Sequence, residues 1–260
     1  MRSASSLEQS NTPKARPPRQ IAHFAQKLLQ LSPSRRQKVL IRIIHRNTSI
    51  HIAFEDIYDP HNVMAATRAI DAFGFQYVHL IFNKQTPFSP KKIGKKTSAS
   101  ANKWLSFYTY KNKTAQSTNS GAVSRFLHFA QTHNFKLIAT ILDPKATSLP
   151  EFDWSKIKKG IILFGNEHAG LSQELIDASH YKLYIPMYGF VQSLNLSVSV
   201  GIVLYDYIAK HPPNIGPATL GMPLQTGKNI HTPSTLTELT EFLRTLNPEK
   251  LETLKTWLNI

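Results

Sequence analysis

Short apolar runs alternate with segments of helical periodicity through the middle of the chain. Five β-strands are predicted from apolar or alternating runs at 50–55, 77–82, 136–142, 161–164 and 181–185. Helices are predicted from apolar positions three and four residues apart at 63–73, 120–134, 173–178 and from about 195 to 211. Strands that alternate with helices in this way favour an α/β fold with a parallel sheet.

Polar loops follow the last two of these strands. The run at 161–164 ends in Gly-Asn-Glu, and the strand at 181–185 leads through Pro-Met-Tyr-Gly into Gln-Ser-Leu-Asn, where the last of these helices begins. Ser172 can cap the short helix that lies between the two strands. In open parallel sheets, ligands bind outside the carboxyl ends of the strands. We therefore expect a ligand site at this edge of the sheet.

The two ends of the chain differ from this central part. Residues 1–20 are proline-rich and basic, which is typical of a disordered tail and also of a transit peptide. Prolines at 13, 17 and 18 oppose the amphipathic helix that a transit peptide forms, so we predict a disordered tail. Residues 21–48 predict a basic arm of two helices, which precedes the main domain at 49–211. Residues 212–260 predict a tether rich in proline and glycine, followed by two short helices that begin at Thr235 and Asn247.

Positive charge is concentrated in two parts of the chain. The net charge is +15, and residues 1–50 hold ten Lys or Arg against one acid, while residues 83–113 hold eight Lys and no acid. Such clusters favour a polyanionic partner, most simply a nucleic acid, over a merely solvated basic surface. The candidate RNA-binding residues in the arm are Arg35, Arg36, Lys38 and Arg46.

Several classes of protein are excluded or disfavoured by composition. Cysteine is absent, so disulfides, thiol nucleophiles and zinc–thiolate clusters are excluded, and the eleven His lack the spacing of metal ligands. No apolar run approaches the roughly 20 residues that a membrane span needs. No G-x-G-x-x-G follows a predicted strand, which argues against a Rossmann-type nucleotide enzyme. We expect a soluble, cytoplasmic protein without a metal.

A third polar segment lies after the first strand. The sequence EDIYDPHNVMAATRAIDAFGF places Asn62 where it can cap the following helix, with Arg68 six residues later and Gly74 at the end. Taken singly, Asn62 is explained as a helix cap and Arg68 as the partner of Asp71 in a surface ion pair. Their order upstream of the two later loops favours a functional reading of both.

These three segments together resemble the sequence motifs of the SPOUT methyltransferases. GNEHAGLS and IPMYGFVQSLNLSVSV are similar to the second and third motifs of the SpoU-type RNA ribose 2′-O-methyltransferases, and the Asn62 segment is similar to the first. The resemblance covers roughly residues 35–211. It implies a parallel-sheet fold with a C-terminal trefoil knot, whose loops hold S-adenosylmethionine, and a homodimer that pairs through the knotted region.

The resemblance also implies roles for individual residues. The implied cofactor-binding residues are Thr140, Gly165, Ile185, Met187 and Leu194, and we expect Gly165 and Gly189 to let the backbone approach a flat ring. The implied catalytic group is Arg68, Asn62, Glu167, Ser193 and Asn195. In KKTSASANKW, the residues implied to face RNA are Ser98, Asn102 and Lys103.

The implied chemistry leaves the role of Arg68 open. The family account has this arginine activate the 2′-oxygen, yet a guanidinium keeps its proton up to about pH 12. Either its surroundings deprotonate it, or it stays charged and stabilises the developing alkoxide.

The short basic arm makes the chain most similar to the enzymes that methylate guanosine 18 of the tRNA D-loop. The alternatives are methylation of ribosomal RNA and an inactive RNA-binding relative.

Overall fold

The computed structural model describes residues 18–90, 92, 93, 98, 101–112, 121–211 and 233–259. Most of the predicted N-terminal tail, the tether at 212–232 and Lys91, Lys95, Lys96 and Lys113 lie outside the described residues. In the part of the chain that is described, no helix is long and apolar enough to cross a membrane.

The main body, residues 45–211, is an α/β unit. Its strands are β1 Ile50–Glu55, β2 Tyr77–Phe82, β3 Ser106–Lys111, β4 Lys136–Thr140, β5 Thr147–Ser148, β6 Gly160–Phe164 and β7 Tyr181–Tyr184. The helices of the chain are α1 Pro18–Leu29, α2 Pro33–His45, α3 Pro60–Ala72, α4 Ala122–Thr132, α5 Gln173–Ala178, α6 Leu196–Lys210, α7 Leu236–Thr245 and α8 Pro248–Leu258. The predicted alternation of strands and helices is confirmed, apart from β3 and the two-residue β5, which were not predicted.

All seven strands pair in parallel, in the order β3-β2-β1-β6-β4-β7-β5. In β1, Ile52 lies opposite Val78 of β2 and Ile162 of β6. Every residue of β1 and β2 is buried because helices cover both faces of the sheet. Helices α3 and α6 pack on one face, and α4 and α5 pack on the other.

The remaining described residues, 18–44 and 233–259, form a second unit of four helices. The apolar faces of α1 and α2 are buried with those of α7 and α8, and the core includes Phe24, Leu28, Ile43, Leu239 and Leu254. The predicted starts of the last two helices are confirmed, since Thr235 and Glu238 form a capping box and Asn247 caps α8. We predicted the arm and the C-terminal helices as separate segments, whereas the structure packs them into one unit because each amphipathic face needs a partner.

A buried chain of polar groups crosses the face of the sheet under α4. His51 Nδ1 lies 2.8 Å from His79 Nε2, His51 Nε2 lies 3.2 Å from the Thr48 carbonyl, and His79 Nδ1 lies 3.1 Å from the Tyr110 hydroxyl. The Thr48 carbonyl can only accept, so neutral His51 donates from Nε2 and accepts at Nδ1 from His79. Tyr110 then donates to His79. All the ring nitrogens of His51 and His79 have hydrogen-bond partners in this arrangement only while both rings are neutral.

Burial keeps them neutral. It lowers the pKa of His51 to about 3, and it also lowers the pKa of His79 well below its ordinary value. Lys159 and His133 add positive charge that lowers the pKa of His51 further.

We predict acid-sensitive folding from this pair. Below about pH 6.5 the unfolded histidines take up protons that the folded ones do not, so the free energy of unfolding falls as pH decreases. Each histidine contributes about 1.4 kcal/mol per pH unit across the interval between its two pKa values. Urea denaturation between pH 7 and pH 4 should therefore show a shallower slope against pH in the double variant His51→Phe/His79→Phe, whatever its stability at pH 7. An unchanged slope would contradict the assignment.

Candidate active site

A cavity of about 830 Å³ lies at the carboxyl edge of the sheet. Its walls are the residues that follow β4, β6 and β7, together with the N-terminus of α6. All five predicted cofactor residues line it, namely Thr140, Gly165, Ile185, Met187 and Leu194. The volume suits a ligand of nucleoside size, and the apolar side chains Ile141, Leu142 and Ile185 offer contact to a flat ring.

Gly165 begins a tight loop after β6. Asn166 and Gly170 exchange backbone hydrogen bonds of 3.0 and 2.9 Å across this loop. A Cβ at position 165 would lie 2.2 Å from both the Gly170 carbonyl carbon and the Leu171 nitrogen. We expected this glycine to make room for a ring of the ligand. The structure gives a different reason, because the space beside Gly165 is occupied by the backbone of its own loop.

Asn166 ties the same loop to the end of β1. Its amide donates to the Asp56 carbonyl at 2.6 Å, and its Oδ1 accepts from the N–H groups of His168 and Ala169 at 2.9 Å each. Asp56 has a left-handed conformation, with φ of 49°, and its carboxylate accepts from Asn83, Lys84 and Gln85 N–H. The loops after β1, β2 and β6 are therefore joined by side chains of Asn and Asp.

Three residues of the predicted catalytic group form one hydrogen-bonded network. Glu167 accepts from the Tyr58 N–H at 2.8 Å and from the Asn62 amide at 2.9 Å. Asn62 Oδ1 in turn accepts from the Asn195 amide at 3.2 Å, and Asn195 caps α6 through the Ser197 N–H at 2.9 Å. The network joins all three sequence motifs within one chain.

Asn62 is free for this role because it is not a helix cap. Our expectation of a cap at Asn62 was wrong: α3 begins at Pro60, and the Asp59 side chain accepts from the His61 N–H at 2.8 Å. Proline at the first helical position has no N–H to satisfy, which favours this earlier start. Gly74 does follow the C-terminus, with φ of 81°.

Arg68 lies exposed in the third turn of α3 and makes no hydrogen bond or ion pair with the described residues. The surface ion pair between Arg68 and Asp71, which was the alternative to a functional role for Arg68, does not form. Asp71 instead binds Arg46, whose Nη2 lies 2.8 Å from Asp71 Oδ1. Arg68 does not line the cavity, whereas Glu167, Ser193 and Asn195 do.

The expected RNA-binding residues divide by exposure. Arg35, Lys38 and Lys103 are exposed. Arg46 is 6% exposed and also donates to Gln76 Oε1 at 2.7 Å, so it joins α3 to the residue before β2 rather than facing RNA.

Arg36 also departs from expectation, because it is only 8% exposed on α2. Asn102 and Ser98 are buried as well, and the Asn102 amide donates to the Pro90 carbonyl at 2.9 Å. The expectation that these two residues face RNA is therefore not met in this structure.

Two contributors to the site were missed in the sequence. Glu55 was assigned only to strand alternation, yet its Oε2 accepts from the Ser172 N–H at 2.7 Å. Burial raises the pKa of Glu55, an effect that the hydrogen bonds from Ser172 oppose. Asn166 was named only within the Gly-Asn-Glu loop and the GNEHAGLS motif, without a role of its own. The available signal for Glu55 was an acidic residue at the last position of a strand that is otherwise apolar apart from His51.

A model of the SpoU rRNA methylase family matches residues 49–205. The chain belongs to this family. The matched region runs from just before β1 into α6 and contains the cavity and the Asn62–Glu167–Asn195 network. The resemblance to SpoU-type enzymes is thereby confirmed.

The curated relatives include 2′-O-methyltransferases of tRNA and of rRNA. The chain is 28% identical to the tRNA (guanosine(18)-2′-O)-methyltransferase of Escherichia coli K12, over 68% of this chain and 70% of that one. It is 30% identical to the Aquifex aeolicus enzyme of the same name, over 66% of this chain and 75% of that one. It is also 30% identical to the 23S rRNA (guanosine-2′-O-)-methyltransferase RlmB of Acinetobacter baylyi, over 67% and 65%.

Solved structures agree on the fold. The TrmH/SpoU tRNA modifying enzyme of A. aeolicus superposes with a TM-score of 0.60 at 21% identity, covering 91% of this chain and 97% of that one. An rRNA methyltransferase from Sinorhizobium meliloti with bound AdoMet superposes with a TM-score of 0.53 at 23% identity, covering 65% and 59%. The predicted parallel-sheet α/β fold is confirmed.

We predict that Gly165→Ala displaces the loop and weakens cofactor binding at least tenfold, because the added methyl group overlaps backbone atoms that cannot rotate away. Titration calorimetry with S-adenosylmethionine measures this. Gly121→Ala is a matched control, since its Cβ would meet nothing closer than 3.6 Å. Equal affinity in Gly165→Ala and wild type would contradict the packing argument.

Proposed function

We propose that this SpoU family protein transfers a methyl group from S-adenosylmethionine to the 2′-hydroxyl of guanosine 18 in tRNA. The observation that carries the proposal is the joining of the cavity, lined by all five expected cofactor residues, to the Asn62–Glu167–Asn195 network. The names of the E. coli and A. aeolicus relatives support tRNA guanosine 18 as the target. We also propose a cytoplasmic location, which the bacterial tRNA methyltransferases among the relatives support.

The cofactor supplies an electrophilic methyl group on a sulfonium. Because positive charge is neutralised when an oxygen nucleophile attacks, most of the acceleration comes from alignment and exclusion of water. In this proposal the apolar side chains of Ile141, Leu142 and Ile185 cover the bound cofactor, and the loop 165–170, closed by two backbone hydrogen bonds, forms part of the cavity wall. Asn62 and Asn195, held together at 3.2 Å, offer amide groups at the edge of the cavity that can orient a ribose.

Arg68 stabilises the developing alkoxide in this proposal. Its guanidinium is exposed and makes no ion pair with any described residue, so its charge is available to the RNA. A guanidinium is a poor base, since it keeps its proton to about pH 12. The electrostatic role is therefore favoured over proton abstraction, and solvent takes the proton.

We predict that Arg68→Ala lowers methylation a hundredfold or more, as expected for a charge worth roughly 3–4 kcal/mol in the transition state. Affinity for S-adenosylmethionine and for tRNA should stay close to wild type. Arg68→Lys should recover part of the rate if charge is what matters. Single-turnover methylation measures the rate. Arg68→Ala with nearly wild-type turnover would contradict the catalytic assignment, and a rate in Arg68→Lys that climbs at high pH would favour the base mechanism.

The choice of RNA and nucleotide is tested with labelled S-adenosylmethionine and unmodified transcripts. A tRNA transcript should gain one 2′-O-methylguanosine, detected by nucleoside mass spectrometry. The matched control is the same tRNA with 2′-deoxyguanosine at position 18, which lacks the accepting oxygen and should not react. Methylation of a 23S rRNA transcript with no reaction on tRNA would favour the second candidate function, which the A. baylyi relative supports.

Exposed cations of α2 form the proposed grip on RNA. Arg35 and Lys38 are exposed on this helix, and Lys103 is exposed in the main body. Contacts of this kind with phosphate release counterions, so affinity falls steeply and log-linearly with salt.

We predict that the double variant Arg35→Gln/Lys38→Gln lowers the slope of log affinity against log salt by about two, one for each lost phosphate contact. Filter binding of tRNA between 50 and 200 mM salt, about the range over which such contacts are lost, measures the slope. Gln37→Ala, an exposed and uncharged neighbour on the same helix, is the control and should leave the slope unchanged. An unchanged slope in the double variant would assign Arg35 and Lys38 to a solvated face.

We also propose the trefoil knot and the homodimer. Family membership supports the knot, together with a strand order in which β6 lies between β1 and β4 while β7 lies beyond β4. A crystal structure whose chain trace is unthreaded would overturn it.

An exposed apolar stripe on α6 supports the dimer. Val198, Ile202 and Tyr205 lie at helical spacing and are 48%, 37% and 64% exposed. A stripe of this kind next to the cofactor loops suits a second copy of the chain.

We predict that Val198→Glu/Ile202→Glu converts a dimer to a monomer, because charge cannot be buried unpaired in an apolar interface. Light scattering should give twice 29.4 kDa for the wild type and 29.4 kDa for the variant. Gln131→Glu, which adds a charge at an exposed position of α4, should stay dimeric. A fully active wild-type monomer would end the dimer proposal.

A further inference from the structure

Glu55 is a buried carboxylate with an unusual set of contacts. It is the last residue of β1, is 3% exposed, and accepts through Oε2 from the Ser172 N–H at 2.7 Å. Its other oxygen, Oε1, has no hydrogen-bond partner among the described residues. Burying a carboxylate is costly unless it is well paired, so this group calls for an explanation beyond packing.

The bond to Ser172 fixes the far end of the loop that walls the cavity. Gly170 and Leu171, which immediately precede Ser172, line the cavity. Their backbone lies so close to Gly165 that a Cβ there would be within 2.5 Å of three of their atoms. Because Leu171 is bonded directly to Ser172 and packs closely against Gly165, we expect a shift of Ser172 to move this wall of the cavity.

Other side chains hold the earlier parts of the same loop. Asn166 binds the Asp56 carbonyl near its start, and Glu167 binds the N-terminal region of α3 near its middle. Glu55, at the end of β1, holds the last part of the loop through the Ser172 N–H. We propose that Glu55 is a positioning residue for S-adenosylmethionine, which acts by holding Ser172 and thereby the Gly170–Leu171 wall of the cavity.

The charge of Glu55 matters to this role. A carboxylate accepts a shorter and stronger hydrogen bond from an N–H than a neutral group does. Protonation of Glu55 weakens that bond and adds an O–H that also needs a partner. Burial raises the pKa of Glu55, and the carboxylates of Asp56 and, on α5, Glu174 raise it further, while Ser172 opposes the shift. On acidification, Glu55 therefore takes up its proton, and releases the loop, at a higher pH than that at which an ordinary glutamate is protonated.

The first test compares wild type with Glu55→Gln, which keeps the shape of the side chain and removes the charge. Calorimetry with S-adenosylmethionine at pH 7.5 should show at least a tenfold loss of affinity, with tRNA affinity unchanged. Wild-type affinity should also fall on acidification, beginning above the pH range in which an ordinary glutamate titrates, and this early fall should be absent in Glu55→Gln. Equal affinity of the two proteins at pH 7.5 would overturn the proposal.

The second test removes the donor instead of the acceptor. Ser172 has φ of −64°, a value that proline adopts, so Ser172→Pro deletes the N–H without forcing this angle. Ser172→Ala keeps the N–H and is the matched control for loss of the helix cap. Ser172→Pro should weaken the cofactor well beyond Ser172→Ala, and much less so in a Glu55→Gln background. Additive effects of Ser172→Pro and Glu55→Gln would show that the two groups do not act together and would overturn the proposal.

The inference rests on the proposed function only for the identity of the ligand. Hydrogen exchange without ligand separates the two: Glu55→Gln should speed exchange at residues 170–172 while α4 keeps its protection. Wild-type protein that binds no S-adenosylmethionine would refute the proposed function. Unchanged exchange at residues 170–172 in Glu55→Gln would refute the positioning role of Glu55, whatever the ligand.

Discussion

The pairing of β1 with β6 is the constraint on which the site depends. Phe54 lies opposite Phe164, so the two strands end side by side at the same edge of the sheet. The residues that follow them, from Glu55 and from Gly165, are therefore neighbours although more than a hundred positions separate them along the chain. A slip of one residue in this register would part Asn166 from the Asp56 carbonyl and Ser172 from Glu55 at once.

Much of the fold and of the cavity could be predicted because the signals are local. Apolar runs mark the buried strands, and the polar residues after them mark the edge where a ligand binds. The strand β3 was missed because it lies at the edge of the sheet, where its residues are partly exposed. Its sequence therefore mixes aromatic with polar residues and lacks the apolar runs that mark the buried strands. The five residues expected to bind the cofactor line one cavity because the motif fixes their position relative to the strand ends.

The arginines show where local signals fail. Nothing near Arg46 in the sequence indicates burial, because its partners Asp71 and Gln76 lie 25 and 30 positions away. From the sequence alone, all the cations of a basic segment are therefore expected to be exposed. In the structure Arg36 and Arg46 are buried, so only part of the predicted cationic surface is exposed. The same long-range bond keeps Asp71 occupied and leaves Arg68, on the same helix, without an acidic partner among the described residues.

The helical unit has a consequence for the order in which the protein is made. Helices α1 and α2 precede the α/β unit in the sequence, yet the apolar cluster that contains Phe24 and Leu28 is completed by α7 and α8, which follow that unit. During synthesis α1 and α2 therefore lack part of their apolar core while the whole α/β unit is translated and can fold. Of the described helices, α1 and α2 are therefore translated early and acquire their complete core late.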